Sequence, residues 1–136
     1  MLAEIIKKQF KIMEERSWEK IFWAIDFHGT ISPPTYTQDD GDSEFYPYAV
    51  EALQALTKRD DCCLIMWTSS YPEYLEKHLQ RMRDLDIHFD YFNKNPDCPS
   101  TEICDFSGKF YFNVLIDDKA GFLPEKHWKE VLDALD

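Results

Sequence analysis

The chain has 136 residues, 26 acidic and 15 basic, for a formal net charge of −11 at neutral pH. That length supports one domain burying roughly 65–70% of its unfolded surface, enough for a core without staples. The acidity disfavours nucleic acid and anionic membrane surfaces as partners. The four glycines (Gly29, Gly41, Gly108 and Gly121) are too dispersed to form a dinucleotide fingerprint or a P-loop.

Residues 2–16 read as an amphipathic helix: Leu2, Ile5, Ile6, Phe10 and Met13 recur at helical spacing, with Lys7, Lys8, Lys11, Glu14 and Glu15 between them. That apolar stripe suits core, a dimer contact or a partner surface. In MLAEIIKKQF the charges follow the first apolar residues, the reverse of a secretory signal. No stretch reaches the roughly 18 apolar residues of a membrane span. The expectation is a cytoplasmic protein without membrane partners. IFWAID (21–26) is apolar on both faces and stops at an aspartate, as a central strand of a parallel sheet does. DCCLIMWTS (61–69) and FNVLIDD (112–118) repeat the pattern, and HFDYF (88–92) is a weaker strand. Pro47, Pro72 and Pro124 are placed to open helices carrying Val50, Leu53 and Leu56, then Leu75, Leu79 and Met82, then Trp128, Val131, Leu132 and Leu135. Strand–helix alternation of this kind predicts a parallel sheet covered by helices on both faces. Residues 31–46 and 93–108 are irregular and suit loops bordering a site. Cys62 and Cys63 fall inside an apolar run, and Cys98 and Cys104 lack a CxxC spacing. Free thiols in a reducing compartment are therefore expected, not a disulfide framework or structural zinc.

Ligands of open α/β sheets bind outside the carboxyl ends of the strands. The residues ending the three apolar runs, Asp26, then Thr68 and Ser69, then Asp117 and Asp118, should therefore converge. Carboxylates gathered at one point are costly unless neutralised, and a hard divalent cation such as Mg²⁺ does this with oxygen ligands. A carboxylate beside Mg²⁺ is also able to attack phosphorus, and a threonine hydroxyl or a lysine can hold phosphoryl oxygens. Taken singly, each aspartate has a plainer reading, Asp117 or Asp118 capping the following turn and Asp26 beginning a loop.

These motifs resemble the haloacid dehalogenase (HAD) superfamily of phosphohydrolases. DFHGTI (26–31) is similar to its first motif, hhhhDxDx[TV]; LIMWTS (64–69) is similar to the second, which ends at Thr68, and VLIDD (114–118) is similar to the fourth. The resemblance spans about residues 21–135. It implies an α/β fold, a three-layer α/β/α Rossmann-like sandwich with a mostly parallel central sheet, to which the N-terminal helix (within residues 1–18) is an addition. The whole chain, 1–136, would be a single domain. The resemblance further implies a Mg²⁺-dependent phosphatase that forms an aspartyl-phosphate on Asp26, with a small phosphorylated metabolite such as a nucleotide or sugar phosphate as substrate. Asp26 would be nucleophile and metal ligand, and the backbone carbonyl of His28 a second ligand. Asp117 and Asp118 would complete the metal site. Gly29 and Thr30 would shape the turn, and Thr68, with Ser69 beside it, would orient the phosphoryl group. Lys109 is the candidate for the family lysine, with Lys94 as runner-up; for either, the plain alternative is a solvated charge.

One position departs from the family pattern. Where the family places a second aspartate, this chain has His28. Histidine can donate and accept a proton near neutrality. Three outcomes are open: His28 replaces the aspartate as acid and base, turnover is slow, or the protein binds a phosphorylated ligand or partner without turnover. Only 37 residues separate Thr30 from Thr68, too few for a folded cap beside a helix and a strand. A capless member with an open site is expected, covered if at all by a loop or by a second copy in a homo-oligomer. Asp39, Asp40, Asp42 and Glu44 would border the site and repel a polyanion. Tyr36, Phe45, Tyr46 and Tyr48 would either stack on a base or sugar or simply anchor the loop.

Overall fold

A computed structural model describes residues 1–34 and 44–136. Helix α1 (Leu2–Glu15) precedes strand β1 (Ile21–Asp26), and α2 (Ala49–Thr57) leads into β2 (Cys62–Trp67). Helix α3 (Pro72–Asp84), β3 (Tyr91–Phe92), β4 (Val114–Ile116), a 3₁₀ turn (Asp118–Ala120) and α4 (Pro124–Ala134) follow. The four strands run in the order β3-β2-β1-β4, every pair parallel. The architecture is α/β, a parallel sheet flanked by helices in the manner of a three-layer α/β/α Rossmann-like sandwich, with α1 as the N-terminal helix.

Alternation along the strands sorts their side chains between two faces. Ile21, Trp23 and Ile25 of β1, Cys62, Leu64 and Met66 of β2, and Val114 and Ile116 of β4 all join one buried cluster. The cluster also takes Ile6 from α1, Leu53 and Leu56 from α2, Leu79 and Met82 from α3, and Trp128 and Val131 from α4. The opposite face carries Phe22, Ala24, Cys63, Ile65, Trp67 and Leu115. Part of its cover is aromatic and irregular: Tyr111 meets Phe22 edge-on, Phe110 meets Trp67, and Phe106 meets Tyr111. The stripe of α1 is core, with Ile6 fully buried and Leu2, Phe10 and Met13 packed against the cluster, though Ile5 is exposed. All four cysteines are free, and burial pushes the Cys62 and Cys63 thiols up to about 12. Among the described residues no helix is long and apolar enough to cross a membrane.

The elements are shorter than the apolar runs, for identifiable reasons. The strand expected over 88–92 is confined to Tyr91–Phe92, because the Asp90 carboxylate accepts the Leu64 N–H at 2.9 Å where a backbone carbonyl would otherwise stand. Asn113 does the same at the start of β4, its Oδ1 accepting the Phe22 N–H at 2.8 Å. Pro47 opens a turn, not the helix. Tyr48 follows it in the left-handed region (φ 65°), and α2 starts at Ala49.

One hydrogen bond ties the far end of this core to the turn after β1. The fully buried indole Nε1 of Trp128 donates to the Thr30 carbonyl at 2.7 Å. Trp128→Phe keeps most of the ring but leaves that carbonyl without its donor. It is expected to cost about 1–3 kcal/mol, read as a lower urea midpoint with an unchanged m-value.

Candidate functional site

The carboxyl ends of β1, β2 and β4 meet where the strand order reverses, the point at which open α/β sheets hold their ligands. Asp26 ends the central strand. Its register partner on β2 is Trp67. On the other side Ile25 pairs with Ile116, so Asp117 comes level with Asp26. The row across the sheet therefore reads Trp67, Asp26, Asp117, and the row behind it reads Ile65, Ala24, Leu115.

Asp26, Asp117 and Asp118 each offer a carboxylate oxygen, all within 4.8 Å of one another. The hydroxyl of Thr30 ties the group together. It lies 3.0 Å from Asp26 Oδ2 and 3.2 Å from Asp118 Oδ1, and it accepts the Asp118 N–H at 3.0 Å. A hydroxyl has a single proton, so it satisfies one of the two carboxylates at a time. The turn carrying Thr30 winds around the Phe27 carbonyl, which accepts the Ile31 N–H at 2.9 Å, while the Gly29 N–H donates to the Ser32 carbonyl at 2.7 Å. Gly29 is required twice over. Its φ is +79°, and a Cβ there would stand 2.9 Å from Asp118 Oδ2. The missing methyl group is what lets the third carboxylate close on the turn. Asp117 also caps the 3₁₀ turn, its Oδ1 accepting the Lys119 N–H at 3.0 Å, as the plain reading of this residue expects.

Burial first, and the charge of Asp117 next, push the Asp26 carboxyl up to about 7; the Thr30 hydroxyl partly offsets this, and Asp118 adds to it. Hard oxygen donors in this number and spacing fit a divalent cation of the Mg²⁺ class better than a soft metal.

Thr68 is buried and held from two sides. Its N–H donates to Asn93 Oδ1 at 2.9 Å, and its carbonyl accepts from Asn93 Nδ2 at 2.8 Å. Its hydroxyl lies 3.0 Å from the Ser70 hydroxyl and accepts the Ser70 N–H at 3.2 Å. Ser69 is exposed beside it. Asn93, in the left-handed region (φ 54°), is a positioning residue that the sequence reading passed over. The signal was present, since Asn93 ends the fourth run as the aspartates end theirs. His28 is half-buried, and its ring meets Phe27 and His78 edge-on at 5.2 and 4.9 Å, while Phe27 and His78 stack at 4.1 Å.

The two candidate lysines stand differently. Lys109 is exposed, with Nζ 5.5 Å from the Phe112 ring centroid, on the rim of a hollow against the sheet face that carries Asp26. Lys94 sits with Nζ 5.7 Å over Phe92, at the other sheet edge. Among the described residues neither forms an ion pair with the three aspartates.

Of the loop after the first motif, Tyr36, Asp39, Asp40 and Asp42 lie outside the described residues. Phe45 anchors under Arg81 at 4.4 Å, and Glu44 accepts the Ser32 hydroxyl through its carbonyl at 2.8 Å. The Tyr46 phenol is pushed up by burial and by the charges of Glu125 and Asp118, so it borders the acidic group. A larger hollow of about 550 Å³, between Trp18, Phe22 and Asn113, lies at the amino ends of the strands, away from the carboxylates.

No protein-family model matches the chain, and no curated protein matches it. Among solved structures it is similar to a conserved protein from Bacteroides thetaiotaomicron, with a TM-score of 0.64 and 30% identity over 84% of this chain and 88% of the other.

The raised Asp26 carboxyl gives a signed pH effect. An acid whose folded pKa (about 7) exceeds its ordinary value of 3.8 binds more protons when folded. It therefore adds stability below about pH 4 that is lost as pH rises through 7. Metal-free protein should melt lower at pH 8 than at pH 5.5. Asp26→Asn should flatten that dependence and raise the pH 8 melting temperature by about 3–5 °C, read by calorimetry in chelator.

Proposed function

The chain belongs to the same family as the conserved Bacteroides thetaiotaomicron protein, and we propose that it is a Mg²⁺-dependent phosphomonoester hydrolase of the capless haloacid dehalogenase type. The observation that carries this reading is the set of three carboxylate oxygens within 4.8 Å at the end of a buried central strand. Turn capping accounts for Asp117 alone, and the approach of Asp26 and Asp118 to it is what supports a shared cation.

In this reading Asp26, Asp117, Asp118 and the His28 carbonyl hold Mg²⁺, which when bound neutralises the carboxylates and the phosphoryl oxygens. Asp26 acts as the nucleophile in its ionised form. Asp26 attacks phosphorus through the oxygen that Thr30 leaves free. The new O–P bond forms as the bond to the leaving oxygen breaks, and that oxygen takes a proton from a general acid. Water, giving a proton back to that same deprotonated group, then attacks the aspartyl-phosphate; the Asp26–phosphorus bond breaks, releasing phosphate and returning Asp26 to its carboxylate. With the Thr68 backbone fixed by Asn93 and its hydroxyl by Ser70, that hydroxyl holds a phosphoryl oxygen in line. Lys109 supplies positive charge from the rim. A small phosphorylated metabolite is the substrate class, since a polyanion would meet a chain of net charge −11.

A second reading, binding of a phosphorylated ligand without turnover, is favoured by one observation. The residue at the family's acid–base position is an imidazole packed between aromatic rings, not a free carboxylate.

Hydrolysis of p-nitrophenyl phosphate is expected with Mg²⁺ and not in chelator, with Asp26→Asn lowering kcat roughly 10³-fold or more, as loss of a nucleophile does. Absence of turnover across a broad phosphate panel would leave only the binding reading. His28→Asp is expected to raise kcat for phosphates with poor leaving groups by about 10–100-fold. Unchanged or lower turnover would place acid–base chemistry on His28 itself.

A further inference from the structure

Two turns carry residues of the acidic group, and both lean on the same indole. The first, residues 27–32, brings Thr30, whose carbonyl accepts the Trp128 Nε1–H at 2.7 Å. The second, residues 117–122, ends at Phe122, whose N–H donates to the Asp117 carbonyl at 3.3 Å. The Phe122 ring then meets the Trp128 ring edge-on, with centroids 5.0 Å apart. We infer that Trp128 is a positioning residue for the metal site: it sets the spacing between Asp26 and the Asp117–Asp118 pair, and through that spacing the preference for Mg²⁺ over Ca²⁺. The inference rests on the metal-dependent hydrolase reading for its cation, and on these contacts for its geometry.

The bonds inside the first turn, from the Ile31 N–H to the Phe27 carbonyl and from the Gly29 N–H to the Ser32 carbonyl, fix its shape but not its distance from Asp118. The Thr30 hydroxyl bridges that distance, 3.0 Å from Asp26 Oδ2 and 3.2 Å from Asp118 Oδ1. Alone it is a weak spacer, because its one proton serves one carboxylate at a time. Trp128 holds the same residue from behind. Both the indole and Thr30 are fully buried, so neither partner of the carbonyl bond has water as an alternative. The anchor is itself rigid. Helix α4 packs Trp128, Val131 and Ala134 into the core. The Leu123 N–H donates to His127 Nδ1 at 2.9 Å, which ties the residue after Phe122 to the first turn of that helix. Groups that orient metal ligands from behind commonly carry about 10–100-fold of metal affinity. Mg²⁺ demands near-octahedral oxygen ligands at about 2.0–2.1 Å, whereas Ca²⁺ accepts looser geometry at about 2.3–2.6 Å. Turns held at a fixed spacing therefore favour Mg²⁺, and turns free to drift apart lose Mg²⁺ first.

The test is calorimetric titration of the full chain with Mg²⁺ and, separately, with Ca²⁺. Trp128→Phe keeps a ring against Phe122 and removes the N–H. It is expected to weaken Mg²⁺ binding about ten-fold and Ca²⁺ binding about two-fold or less, so that the ratio of the two dissociation constants shifts about five-fold. Phe122→Leu keeps an apolar side chain and removes the ring. It is expected to shift the ratio in the same direction, and it carries the test should Trp128→Phe fail to fold. Val131→Ala is the control. Val131 is fully buried on the same helix, so its truncation lowers stability, but it takes no part in the contacts between Trp128 and the two turns, and the ratio should stay at the wild-type value. A ratio unchanged in both Trp128→Phe and Phe122→Leu, including equal weakening of both cations, overturns the inference; p-nitrophenyl phosphate turnover by the wild type then leaves the hydrolase reading standing. A ratio that shifts as expected while no phosphate is hydrolysed supports the inference, and the hydrolase reading alone falls. Wild-type protein that binds neither cation at millimolar concentration overturns the inference whatever p-nitrophenyl phosphate shows.

Discussion

Three carboxylates with oxygens within 4.8 Å of one another repel when ionised, and much of the turn after β1 is arranged around that constraint. Within the protein itself the tension is met in two ways. Asp26 holds its proton up to about pH 7, and the Thr30 hydroxyl donates to one carboxylate while accepting the Asp118 N–H. Neither device removes the repulsion. The acids are held together by covalent and packing forces that lie outside them: strand register fixes Asp26 beside Asp117, Gly29 admits Asp118, and Trp128 holds the carbonyl of Thr30. The electrostatic cost of the site is met by the core, which is why the proton on Asp26 has leverage on this region.

Much of this was legible in the sequence because the informative residues end apolar runs. A strand that is apolar on both faces must be central, and its last residue must emerge at the carboxyl edge; Asp26, Thr68 and Asp117 follow from that alone. Periodicity also placed the four helices and the inward stripe of α1. What could not be read was which side chains would take over backbone roles. Asp90 and Asn113 shorten β3 and β4 by presenting carboxylate and amide oxygens to neighbouring strands, and nothing in a linear pattern separates such an aspartate from a solvated one. The same holds for Asn93, whose two bonds to Thr68 require a left-handed backbone that its sequence neighbours do not demand. The aromatic residues of 106–112 read as an irregular loop because they lack both helical and strand periods. Their order comes from packing on the sheet, which is long-range.

The two faces of the sheet serve different purposes. One carries the buried cluster of aliphatic and indole side chains to which all four helices contribute. The other is covered in part by rings meeting edge-on, an arrangement that leaves a gap beside the acids. Rigidity on one side and access on the other follow from the same alternation of side chains along β1, whose odd-numbered residues face the core and whose even-numbered residues face the hollow.

The bond from Trp128 to Thr30 spans 98 positions of the chain. During synthesis the acidic turn leaves the ribosome long before the helix that fixes it, and domains fold as units only once their closing elements are available. Until α4 emerges, the turn bearing Thr30 lacks the indole that holds it, and Asp26 waits for β4 to bring Asp117 and Asp118. A nascent chain of this protein therefore carries its most chemically loaded segment in an unassembled form. The turn is held in place only once α4 docks, after β4 has brought Asp117 and Asp118 beside Asp26.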